Sequence, residues 1–296
     1  MKARFSLARS LLLAAFAFAL PALHAAESDA DLFAYDRGRP LNLQQVGSET
    51  RDGALVRDIT FEGATGPVKA FLVSPATPAG DSHAAILFVH WFGEPKTTNR
   101  TQFLGDAIEL ARRGVVSLLV DTMWAEQRRW WSNVGKGDDR ADGINQVITL
   151  RRAMDLLLAQ PGVDAARFAL VGHDFGAMFG SVAGAVDGRP KAYVLMAPTP
   201  RLADWYLFVA KPADVEAYKR GLEPLDAINA VGRLNAPVFF QFATNDQYVP
   251  MPRPTEFYDA AKPRKFMASY DTNHDLHPPE IAADRIAWLV NELKLK

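Results

Sequence analysis

The chain has 296 residues, of which 49% are hydrophobic and 23% charged, and its formal net charge is −1. That is ordinary globular composition, and the charge argues against nucleic acid as a partner, because phosphate binding needs a basic surface. The sequence contains no cysteine, which excludes both a thiol nucleophile and disulfide staples.

The first 26 residues differ from the rest. Lys2, Arg4 and Arg9 precede the apolar run "LLLAAFAFAL", and small residues follow in "PALHAAES". This is the three-part order of a secretory signal peptide, with cleavage expected after Ala25 or Ala26. A membrane anchor is the alternative, but the run is short of the roughly 20 residues that a spanning helix needs. The expected product is periplasmic or secreted, without a stable membrane anchor. It would be a single domain, residues 27–296, with a net charge of about −4 once the three leader cations are gone.

From Ala54 onward, short apolar runs alternate with helix-period segments. "ALVRDITF" and "VKAFLVSP" read as paired strands. Then come "AAILFVHW", "VVSLLVD", "RFALVGH", "AYVLMAP", "PVFFQFAT" and "KFMASYD", each ended by a turn or a polar residue. Helices are predicted over Gln102 to Arg113, Gly143 to Gln160, Phe175 to Val186, Thr255 to Ala261, and Glu280 to Leu295. Continuous apolar strands alternating with helices imply a mostly parallel sheet covered on both faces. Eight strands in an open α/β sheet fit better than a closed barrel, because no helix separates the first two. Residues 198–235 break the alternation with two short helical pieces, and read as a small lid-like insertion.

In open α/β sheets the ligand sits beyond the carboxyl ends of the strands. One such end carries "GHDFG", Gly172 to Gly176, a sharp strand-to-helix turn of the kind that presents a hydrolase nucleophile. Asp174 holds its centre. It is either an unusual nucleophile, favoured by the positive end of the following helix, or an aspartate capping that helix. Asp246 in "NDQYVP" and His274 in "TNHDLH" follow two later strands, in the order nucleophile, acid, histidine. His277 is the reserve histidine, and Asp271 or Asp275 are weaker alternatives to Asp246.

These segments make the chain from Ala54 to Lys296 resemble the α/β-hydrolase superfamily. "HWFGE" after the third strand, the small lid and "NDQYVP" are similar to its dienelactone hydrolase branch. The resemblance implies an oxyanion hole with one backbone N–H from Trp91, or next best Phe92, and a second from Phe175. Asp174 departs from that branch, whose members carry cysteine or serine there. It is similar instead to haloalkane and haloacetate dehalogenases and epoxide hydrolases. Those resemblances imply opening of a carbon–halogen or epoxide bond through an alkyl-enzyme ester, with water as co-substrate and no cofactor or metal. Dienelactone-type ester or lactone hydrolysis is one alternative, and a binding protein on the same fold is another. For the small organic substrate, Trp91, Trp124, Trp130 and Trp131 are candidate leaving-group donors and Tyr206 and Tyr218 candidate acids. Arg128 and Arg129 are candidate carboxylate clamps.

Overall fold

Seven consecutive residues of "HAAILFV" are buried, and so are all five of "VSLLV", "AYVLM" and the six of "VFFQFA". Strands so apolar on both faces belong in the middle of a covered sheet. A computed structural model describes residues 29–77, 80, 82–93, 98–262 and 264–296. The expected leader and Glu94 of "HWFGE" lie outside the described residues.

The strands are β1 (Gln44–Arg51), β2 (Ala54–Glu62), β3 (Pro67–Pro75), β4 (His83–Val89), β5 (Val116–Val120), β6 (Val163–His173), β7 (Ala192–Met196), β8 (Val238–Ala243) and β9 (Lys265–Tyr270). They form one sheet in the order β1-β2-β3-β5-β4-β6-β7-β8-β9. The first three pair antiparallel, as does β3 with β5, and every pair from β5 onward is parallel.

Among the described residues the sheet has nine strands, not the eight expected. β1 reads "QQVGSETR", is almost wholly exposed, and has no apolar run to announce it. Its signal was the turn: Asp52 and Gly53 both have positive φ, +50° and +82°, which is what a two-residue hairpin requires.

Among the described residues, ten α-helices accompany the sheet: α1 (Asp29–Leu32), α2 (Leu104–Ala111), α3 (Gln127–Trp131), α4 (Asp139–Leu158), α5 (Phe175–Asp187), α6 (Ala203–Tyr206), α7 (Val215–Leu222), α8 (Ala227–Val231), α9 (Arg253–Ala260) and α10 (Pro279–Glu292). α4, α5 and α8 share one core with the sheet, and α2 and α10 share the other. The helix α4 begins four residues before the expected Gly143. Asp138 caps it, its Oδ1 accepting the Ala141 N–H at 3.0 Å. Residues 198–235 hold α6, α7 and α8, and pack Leu202, Trp205 and Tyr206 into the core beside α5. Among the described residues, no helix is long and apolar enough to cross a membrane.

Candidate active site

The turn between β6 and α5 is crowded. A Cβ on Gly172 would lie 2.4 Å from the Gly176 carbonyl oxygen, and one on Gly176 would lie 2.2 Å from that of Val89. Only glycine fits either place. Between them, Asp174 adopts φ +53° and ψ −119°, a conformation that costs a non-glycine residue of order 1–3 kcal/mol. Its side chain makes no capping bond to α5, so the capping alternative finds no support.

The Asp174 carboxylate is buried and faces two ways. Oδ2 accepts the Phe92 backbone N–H at 3.1 Å. Oδ1 has no hydrogen-bond partner among the described residues and lies 3.7 Å from His274 Nε2, which also has none. On the far side of the imidazole, Nδ1 meets Asp246 Oδ2 at 2.7 Å. Asp246 Oδ1 accepts the N–H groups of Tyr248 and Val249, both at 2.8 Å, which fixes the carboxylate in its loop. The ends of β6, β8 and β9 thus bring Asp174, Asp246 and His274 together in the expected order. His277 is exposed and bonded to the Asp275 carbonyl, while Asp271 is bonded to Asn245. Neither Asp271 nor Asp275 takes the place of Asp246.

Charge follows from this arrangement. Burial works against a charged His274 ring, but Asp174 and Asp246 outweigh it and push its pKa up to about 9. Burial likewise works against the Asp246 carboxylate, yet its bond to His274 and the two N–H groups hold its pKa below the ordinary value.

Of the two candidate N–H groups after β4, it is that of Phe92, not of Trp91, that meets the Asp174 carboxylate. The Trp91 N–H is taken by Gln102 Oε1 at 2.9 Å. The peptide joining Trp91 and Phe92 is anchored by its other end. Its carbonyl accepts from His90 Nδ1 at 2.8 Å and from the Thr98 hydroxyl at 2.5 Å. A trans peptide points its N–H opposite its carbonyl, so the Phe92 N–H is aimed at Asp174. His90 Nε2 accepts the Thr122 N–H, leaving the proton on Nδ1. Burial lowers the His90 pKa to about 4, so this pattern persists at neutral pH. Phe175 is the first residue of α5, where an N–H has no intrahelical acceptor.

A cavity of about 630 Å³ adjoins His274, Trp91 and Phe92. Of the candidate contacts, Trp91 and Trp131 line it and the others do not. Trp124 is fully buried and donates its indole N–H to the His90 carbonyl. Trp130 packs edge-on to Phe175 and faces a separate groove together with Arg129; Arg128 lines neither space. Tyr206 is buried in the core, and the Tyr218 hydroxyl is bonded to Asp139. Among the described lining residues there is no lysine or arginine. Sequence reasoning missed Trp205, Phe208 and Tyr248 in the wall. The Trp205 indole nitrogen is buried without a hydrogen-bond partner among the described residues, and its ring lies 5.9 Å from that of His274.

No protein-family model and no curated protein matches the chain. Solved structures do. Acetyl xylan esterase from Paenibacillus sp. R4 superposes with a TM-score of 0.73 at 19% identity, over 89% of this chain and 92% of that one. Acetyl xylan esterase 1 from Thermoanaerobacterium sp. JW/SL YS485 gives 0.63 at 18%, over 84% and 88%. The 2,6-dihydroxy-pseudo-oxynicotine hydrolase gives 0.60 at 14%, over 77% and 65%. The fold is that of the α/β-hydrolases.

Proposed function

We propose that the protein is a hydrolase of small organic molecules in which Asp174 is the nucleophile and His274 and Asp246 complete its triad. The observation that carries this reading is the split environment of Asp174. One oxygen sits on the Phe92 N–H and the other is unpaired beside His274.

A carboxylate is a weak base that displaces a leaving group from saturated carbon. Oδ1 attacks, the bond to the leaving group breaks with its electron pair, and an ester of Asp174 forms. That step removes the negative charge on Asp174, one of the two that hold the His274 proton. The imidazolium then loses that proton to solvent along with the departing anion, and the neutral ring is a base. It takes a proton from water, the water oxygen adds to the Asp174 carbonyl carbon, and the oxyanion at Oδ2 is met by the Phe92 and Phe175 N–H groups. Collapse expels the alkoxide, which takes the proton from His274, and the proton left on the Asp174 carboxyl passes to the imidazole, restoring the starting carboxylate and imidazolium. The same ester could form from a carbon–halogen bond or from an epoxide; for the latter, Tyr248 rather than Tyr206 or Tyr218 is the tyrosine in the cavity wall.

Ester or lactone hydrolysis is the second reading, and the fold comparisons favour it, because two of the solved structures named above are esterases. Attack by Asp174 on an ester carbonyl would create a high-energy anhydride, so in this reading Asp174 acts as a base on water. One turnover in heavy-oxygen water distinguishes the two. The covalent reading expects label in the Asp174 peptide and almost none in the product; a light peptide with labelled product overturns it.

The leader sequence supports export to the periplasm or medium. N-terminal sequencing of the mature protein should begin at Ala26 or Glu27.

A further inference from the structure

The histidine of "GHDFG" has no part in the chemistry just described, yet it is fully buried at the heart of the site. Its Nδ1 lies 2.7 Å from Gln102 Nε2, and its Nε2 lies 2.9 Å from the His274 backbone carbonyl. The other end of the Gln102 amide, Oε1, accepts the Trp91 N–H.

Backbone groups at both ends dictate every proton in this chain. The Trp91 N–H can only donate, so Gln102 must present its oxygen there and its NH₂ to His173. Nδ1 of His173 must then accept, which puts the ring proton on Nε2. The His274 carbonyl can only accept, and it receives that proton. The Trp91 indole lies flat on the His173 ring, with centroids 5.0 Å apart and planes 3° from parallel. Burial, reinforced by the charge on His274, holds the His173 pKa well below its ordinary value. The ring stays neutral, and the direction of the chain does not reverse around neutral pH.

His274 needs such an anchor. It follows β9, the edge strand, whose residues are mostly exposed or half-buried. His173 ends β6, near the middle of the sheet, and is joined directly to Asp174.

We propose that Gln102 and His173 are positioning residues that clamp the His274 backbone to the β6 end and to the loop after β4, and so set His274 Nε2 against Asp174. This rests on the reading of Asp174, His274 and Asp246 as the catalytic triad. Without the clamp, the His274 loop drifts, the imidazole moves from its carboxylates, and its hold on the proton weakens.

The test uses nitrogen NMR of the imidazoles in the free, full-length protein, with no substrate. In the wild type, His173 should show a bare Nδ1 and a protonated Nε2 throughout the neutral range. The opposite tautomer, or a charged ring, overturns the proposal without any variant. His173→Phe keeps a flat ring under Trp91 but loses both hydrogen bonds, and Gln102→Leu loses the first link. In each folded variant the His274 acid constant should rise about tenfold, moving its midpoint down from about 9. A variant that is merely less stable, with the His274 midpoint unmoved, overturns the clamp. These readouts involve no turnover, so failure of the covalent chemistry in the labelling experiment would leave them intact.

Discussion

The Phe92 N–H reaches Asp174 Oδ2 at 3.1 Å only because the carbonyl of the same peptide is held from behind by His90 and Thr98. Thr98 is fully buried and its hydroxyl donates to that carbonyl. Thr98→Val keeps the shape and removes this bond. Loss of a whole oxyanion donor costs about 10²–10³ in kcat, and loosening one should cost about tenfold. Steady-state kinetics should show the loss in kcat with KM nearly unchanged. An unaltered kcat would mean that His90 alone orients the peptide.

Removing the base should separate the two half-reactions. His274→Gln leaves Asp174 free to attack but gives the resulting ester no activated water. Intact-mass spectrometry after exposure to a reactive alkyl halide should show a persistent adduct, mapped to the Asp174 peptide, and turnover reduced by about 10³ or more. Full turnover by this variant would remove His274 from the mechanism.

The raised His274 pKa also makes a stability prediction. A group whose pKa is higher folded than unfolded stabilises the fold fully below its unfolded value, and the effect is lost as pH rises through the folded one. For His274 that window runs from about 6.5 to about 9. The contribution is on the order of 3 kcal/mol at its greatest. Asp246 acts at the other end: its lowered pKa stabilises above the ordinary carboxylate value and fails as pH falls through the folded one. Urea unfolding across this range should show stability declining on the alkaline side. Asp174→Asn, which removes one of the two carboxylates, should flatten that decline, and an equally steep profile in the variant would reassign it to other groups.

Trp205 lines the cavity, and its buried indole N–H has no hydrogen-bond partner among the described residues. As a donor to the departing group, it should matter more when that group leaves poorly. Trp205→Phe should lower kcat/KM about 10-fold to 100-fold for an alkyl chloride and less for the matching iodide. An equal loss for both would reduce Trp205 to packing.

How much of this could be read from the sequence depended on the kind of signal. The central strands β4, β5, β7 and β8 were legible because burial on both faces writes continuous hydrophobic runs, and the Asp174–Asp246–His274 order because strand ends are where polar residues reappear. β1 was not, since an exposed edge strand needs no apolar pattern. The choice of Phe92 over Trp91 was also beyond reach. Adjacent peptides are indistinguishable in sequence until Gln102, His90 and Thr98 turn one of them toward the site. Tyr206 and Tyr218 misled because a position in an insertion says nothing of which way a side chain faces. Trp205 was passed over in the same segment for the same reason.

The topology also fixes when the site can exist. His173 and the His274 carbonyl it holds are 101 residues apart, and β9 docks on the outer edge of a sheet that is otherwise complete through β8. As the chain emerges during synthesis, Asp174 and its strained turn can form while the histidine is still unmade. A fragment stopping after β8 would therefore carry a buried carboxylate with no base to release whatever became attached to it. If Asp174 forms the ester proposed above, such a fragment would be alkylated once and never recover, and the final strand would separate turnover from a dead-end adduct.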